Sequence, residues 1–125
     1  MFDIRLLPAS ELGPDGQRLG RITVGDWSET FSCYPVGQSV EEMAEQWKER
    51  LGLLLRGAEA VALVHDPRLA YVVYREGNRC FVQEHLDVKG AGFAVLRPRE
   101  TVSDEGQSIS EWETSLSAIA IHVGA

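Results

Sequence analysis

The sequence has little that would mark a secreted, membrane-embedded or nucleic-acid-binding protein. Two cysteines, Cys33 and Cys80, occur in 125 residues, with no CxxC spacing. They offer no disulfide framework, and each is expected to be a small buried apolar residue, kept reduced in the cytosol. No apolar run approaches the ~20 residues needed to span a bilayer. The start, MFDIRLLPASEL, lacks the basic opening, long apolar middle and small-residue cleavage site of a signal peptide. A cytoplasmic location without membrane contact is therefore expected. Positive charge is also short: 12 basic side chains stand against 19 acidic ones, a formal charge of −7. Phosphate backbones and anionic lipids repel such a surface, which argues against nucleic acid as a partner. A basic protein, by contrast, would be steered towards it.

Chemical motifs are missing as well. There is no GxSxG, no phosphate-cradling glycine loop and no GxGxxG. His65, His85 and His122 stand singly, without the convergent ligands of a metal site. Each is expected to be structural or on the surface. No catalytic, cofactor-binding or metal-binding residue is expected, although an active site can be assembled in space without leaving a motif.

What is present describes one α+β domain over residues 1–125. At this length about two-thirds of the unfolded chain's surface can be buried, enough for a self-sufficient core. Phe2 to Leu7 reads as a short strand, closed by a loop holding Pro8, Gly13, Pro14 and Gly16. Ile22 and Val24 alternate with polar neighbours, Gly25-Asp26 breaks the run, and Trp27, Phe31 and Cys33 follow at even spacing. That pattern is a hairpin. Ser39 and Glu42 form a capping box ahead of Val40, Met43, Ala44, Trp47, Leu51, Leu54 and Leu55, an apolar stripe at helical spacing. Gly57 supplies the stop. Ala60 to Val64, apolar throughout, reads as a central strand. Leu69 to Tyr74 and Arg79 to His85 flank Glu76-Gly77-Asn78 as a second hairpin. Phe93 to Leu96 reads as a brief strand, Ser108 to Thr114 as a final one. The closing SLSAIAIHV fits a short helix capped by Ser115 slightly better than a strand. The expected architecture is a curved antiparallel sheet of about five to seven strands, with the main amphipathic helix packed on one face.

Candidate binding residues are acidic. Asp104, Glu105, Glu111 and Glu113 lie between Thr101 and Ser115 with no Lys or Arg among them, and Asp26 and Glu29 bracket Trp27. They suit a cationic partner, but carboxylates in turns and on alternate strand positions are by default simply solvated. Trp47 falls in the helix stripe and Trp112 on the sheet, so both belong to a core. Trp27, beside a turn, is either a sheet-edge core residue or an interface anchor.

The run Arg97-Pro98-Arg99-Glu100-Thr101-Val102-Ser103-Asp104-Glu105-Gly106-Gln107-Ser108-Ile109-Ser110-Glu111-Trp112 resembles a motif of the CdiI-type immunity proteins of contact-dependent growth inhibition systems. The stretch from Gly20 to Trp27, Glu29-Thr30-Phe31, Gln46-Trp47, Tyr74 to Gly77 and Phe81 to His85 agree with that family in outline. The resemblance implies a protein that binds the C-terminal toxin domain delivered by a neighbouring cell and blocks it in the cytoplasm. Many such toxins are nucleases. An acidic inhibitor could occupy the basic groove with which a nuclease grips phosphate, or bind beside it and obstruct access. The rival readings are a small-molecule-binding or regulatory domain with a pocket between sheet and helix, and a small enzyme with a dispersed site.

Overall fold

The computed structural model describes residues 1–124. Its elements are β1 (Phe2–Leu6), β2 (Leu19–Val24), β3 (Trp27–Ser32), α1 (Val40–Leu55), β4 (Ala60–Asp66), β5 (Leu69–Glu76), β6 (Arg79–Leu86), β7 (Trp112–Ser115) and α2 (Leu116–Val123). The α+β class stands as expected, but the strands divide into two antiparallel sheets: β1-β2-β3 and β4-β5-β6-β7.

Local chemistry accounts for most boundaries. Gly25 and Gly77 take positive φ values of 61° and 65°, while no non-glycine residue among the described ones does so. Each glycine is the first central residue of a two-residue turn followed by Asp26 or Asn78. That combination is the II′ geometry whose twist suits a hairpin. In β2, Gly20 lies opposite Phe31; a Cβ there would come within 2.5 Å of the Phe31 ring, so the ring packs directly on the backbone. The capping box of α1 is complete. Ser39 Oγ accepts from the Glu42 amide at 3.1 Å, and Glu42 accepts from the Ser39 amide at 3.4 Å. At α2, Ser115 Oγ accepts from the Ala118 amide at 3.1 Å, and Gly124 closes the helix in the left-handed region.

One core draws on both sheets and both helices, with Ile22, Leu51, Leu54, Leu63, Tyr71, Val73, Val82 and Ile119 fully enclosed. Cys33 and Cys80 lie in it, and burial pushes both thiols up to about 11. Neither is a thiolate at neutral pH, and neither has the character of a nucleophile. A second, smaller cluster covers the opposite face of the larger sheet: Ala62, Ala70, Val72, Tyr74 and Phe81 lie beneath Phe93 and Leu96.

Three expectations are corrected. β4 is an edge strand, not a central one. Its Ala60 to Val64 stretch is apolar because both faces are covered, Val61 and Leu63 by the main core and Ala62 by the second cluster. Phe93 to Leu96 forms no strand; Phe93 and Leu96 lie over the back of the sheet instead of pairing with it. The last strand begins at Trp112, not at Ser108, and the preceding residues make only an isolated bridge between Val102 and Ser108.

Candidate functional site

The acidic residues singled out in the sequence occupy three different environments. On the inner side of β3, Glu29 lies opposite Ile22, and Trp27 opposite Val24. Facing residues of an antiparallel pair share a side of the sheet, so both point towards the body. Tyr71, fully enclosed on β5, donates its hydroxyl to Glu29 Oε2 at 2.5 Å across the junction of the two sheets. Glu84 stands opposite Tyr71 on β6. Burial and the Glu29 carboxylate raise its pKa above the ordinary carboxylate value, partly offset by the Tyr71 hydroxyl. Burial, then the Glu29 contact, also raises the Tyr71 hydroxyl far enough to keep it protonated throughout the physiological range. Among the described residues neither Glu29 nor Glu84 forms an ion pair. Beside them the Trp27 indole stacks on Trp112, with Tyr71 edge-on to Trp27. Trp27 is half-buried, which makes it a core-margin residue that still reaches solvent. Asp26 is exposed in the adjoining turn.

Glu111 and Glu113 are engaged on the opposite face. Arg99 Nε donates to Glu111 Oε2 at 3.0 Å, and a second guanidinium nitrogen donates to Oε1. Arg99 also reaches Glu76 at 2.9 Å and covers the Phe81 ring at 3.6 Å. Gln83, buried, donates to Glu111 at 2.8 Å and to the Glu100 carbonyl at 2.9 Å. Arg79 grips Glu113 bidentately at 2.8 and 2.9 Å. The Arg99 contact holds the Glu111 carboxyl below its ordinary pKa, and the Arg79 contact does the same for Glu113. These two acids anchor the 87–111 segment and β7 to the sheet. Sequence reasoning missed this because their cations lie outside the acidic window. Asp104 and Glu105 form the third group, exposed at the tip closed by the Val102–Ser108 bridge.

The histidines are placed separately. His65 is buried against Phe31 and Tyr71. Its Nδ1 lies 3.3 Å from the Ser32 carbonyl, so it must carry the proton and donate, and burial lowers its pKa. His85 contacts Gln83 at 2.9 Å. His122 Nδ1 lies 3.3 Å from Asp3. No group of three or more His, Cys, Asp or Glu side chains able to hold a metal ion occurs among the described residues, and no helix is long and apolar enough to cross a membrane.

A solved structure has the same α+β fold, with a TM-score of 0.79 over 99% of this chain and 97% of that one, at 21% identity. It is described as the CdiA-CT/CdiI toxin and immunity complex from Enterobacter cloacae. No curated protein matches the sequence. The family model for the CdiI N-terminal domain matches residues 37–122, more than half of the chain. The chain belongs to the CdiI-type immunity protein family.

Proposed function

We propose that this protein neutralises a cognate CdiA-type toxin domain, a nuclease in the simplest case, by stoichiometric binding in the cytoplasm and without catalysis. Family membership across residues 37–122 carries the reading. The solved relative is described as a toxin and immunity complex, which supports a toxin as the partner here too.

The surface proposed to meet the toxin is centred on Asp26, Trp27, Glu29 and Glu84, with Asp104 and Glu105 adding negative potential at their own tip. Glu29 is half-buried and Glu84 exposed at the rim of the core, and among the described residues neither has a cation within ion-pairing distance. Partial burial and the neighbouring Glu29 disfavour the charged form of Glu84, and a Lys or Arg of a basic partner would relieve that cost. Trp27 supplies an aromatic edge next to the charge, the composition that concentrates binding energy at interface centres. Glu111 and Glu113, already held by arginines, are placed outside the centre of that surface, although Glu113 is exposed.

The small-molecule reading retains one observation in its favour, a groove of about 900 Å³ between α1, β4 and the 93–99 segment, a size that suits a ligand. The two readings separate in one experiment. Co-expression of this chain with its cognate CdiA-type toxin domain should restore growth, and the purified pair should elute as a 1:1 complex. Cell death despite abundant soluble immunity protein would refute the proposal.

A further inference from the structure

The groove runs along an unpaired strand edge. The Glu59 carbonyl accepts the Arg75 amide at 2.9 Å, which sets the phase of the β4–β5 ladder. Hydrogen-bonded and non-hydrogen-bonded pairs alternate in an antiparallel ladder. Val61 and Leu63 therefore turn their backbone groups towards Val73 and Tyr71, while Ala60, Ala62 and Val64 turn theirs outward. The Val64 carbonyl agrees with this phase: it accepts the Trp47 indole N–H, 2.7 Å away on α1. The outward amides and carbonyls of Ala60 and Ala62 have no partner among the described residues. A bare edge of this kind is a template for another strand unless something blunts it.

The walls of the groove are cationic on an otherwise acidic protein. Arg50 on α1 and Arg97 on the covering segment line it with Arg75 and Arg99, against Glu59 and Glu76, and among the described residues neither Arg50 nor Arg97 has a carboxylate within ion-pairing distance. Leu53 and Phe93 add apolar surface on the same two sides. An acidic segment is repelled by the net charge of −7 and is accommodated best where unpaired arginines gather. A second copy of this chain is the wrong occupant, because edge-to-edge pairing about Ala62 would bring like arginines together.

We propose that the open edge of β4, at Ala60 to Val64, is a docking site for an extended strand of the toxin domain. The strand adds to the sheet through the outward backbone groups of Ala60 and Ala62 and carries an acidic side chain between Arg50 and Arg97. Main-chain bonds give such a contact its affinity and the flanking side chains its selectivity. The inference rests on the immunity reading and adds a second contact element to it.

The test uses the full chain with its cognate CdiA-type toxin domain. Amide exchange at Ala60 and Ala62, followed by NMR, should slow at least about tenfold on complex formation, as expected for newly bonded amides. Ala62→Pro removes the outward N–H and leaves the bonds to β5 intact, which an edge strand tolerates. It should weaken toxin binding by about 30-fold or more, and Arg97→Glu by about tenfold, the size of a lost charge-assisted contact. If Ala62→Pro fails to fold, amide exchange and Arg97→Glu decide alone. Tight binding with unchanged exchange at both alanines overturns the docking site and leaves the immunity reading standing. Protection of the same amides in a dimer of this chain without toxin, or by an oligonucleotide in place of toxin, overturns it as well. A wild-type chain that does not bind the toxin overturns both.

Discussion

The Trp27 indole lies parallel to that of Trp112, ring centroids 3.7 Å apart and planes 10° from coplanar, and so joins the edge of the first sheet to the last strand of the second. Trp27 follows the β2–β3 turn and Trp112 opens β7. The contact closes the junction where Glu29 and Tyr71 meet. Offset aromatic pairs contribute about 0.5–1.5 kcal/mol beyond the area they bury. Trp27→Ala is therefore expected to lower stability by about 2 kcal/mol, less than a fully buried tryptophan would cost. A double-mutant cycle with Trp112→Ala in denaturant melts should return a coupling of about 1 kcal/mol. Additive losses would mean the stack does not join the sheets energetically.

Arg99 is expected to fix the 87–111 segment. With side chains 20% and 17% exposed, the Arg99–Glu111 pair is largely withdrawn from solvent. Arg99→Ala leaves Glu111 with the Gln83 amide as its one remaining partner among the described residues, and should cost roughly 1–3 kcal/mol at neutral pH. The lowered Glu111 pKa sets the pH dependence. Its stabilisation is fully present above the ordinary carboxylate value and is lost as pH falls through the depressed one. The gap between wild type and Arg99→Ala in thermal melts should therefore narrow in strong acid. A gap independent of pH would assign the loss to packing on Phe81 alone.

Glu84 is expected to weaken the fold it belongs to. Its raised pKa means that the folded state holds the proton more tightly than the unfolded chain does, so its contribution declines as pH rises through the raised value. Glu84→Gln should raise the melting temperature at pH 7, with no effect below about pH 4, where both states are protonated. The same variant should bind the toxin less tightly. Improved stability with unaltered affinity would remove Glu84 from the proposed surface.

His65 should make the protein sensitive to mild acid. Its pKa is lowered by burial, so the unfolded chain takes up a proton near pH 6.5 while the folded state resists it. Stability should drop as pH falls below about 6.5 and level off below the depressed value. Its Nε2 has no partner among the described residues, and burial outweighs the Ser32 carbonyl, Asp66 and Glu29, which favour the charged form. His65→Phe, which keeps the packing on Phe31 and Tyr71, should flatten the decline in melts run between about pH 7 and pH 5. An equally steep decline would place the effect elsewhere, with His85 the next group to examine.

Much of this fold is legible where neighbouring residues decide. The Ser39–Glu42 box, the 40–55 stripe and the glycine turns at Gly25 and Gly77 each carry their own geometry, and the structure reproduces all of them. What is illegible depends on residues far apart in the chain. Nothing in Ala60–Val64 distinguishes a strand with two paired edges from one with two covered faces. Phe93 and Leu96 pack as a loop against the Ala62, Val72 and Phe81 cluster, a set of contacts that their local pattern does not specify. The acidic window at 104–113 looks unpaired until Arg79 and Arg99 fold over it, and Glu84 joins Glu29 only through Tyr71.

The most direct measurement is a titration of the cognate toxin domain's activity with this protein at concentrations well above the dissociation constant. Activity should fall linearly and vanish at one immunity protein per toxin. Loss of activity at a small fraction of that ratio would show turnover, and undiminished activity at excess would show that the toxin is not the partner.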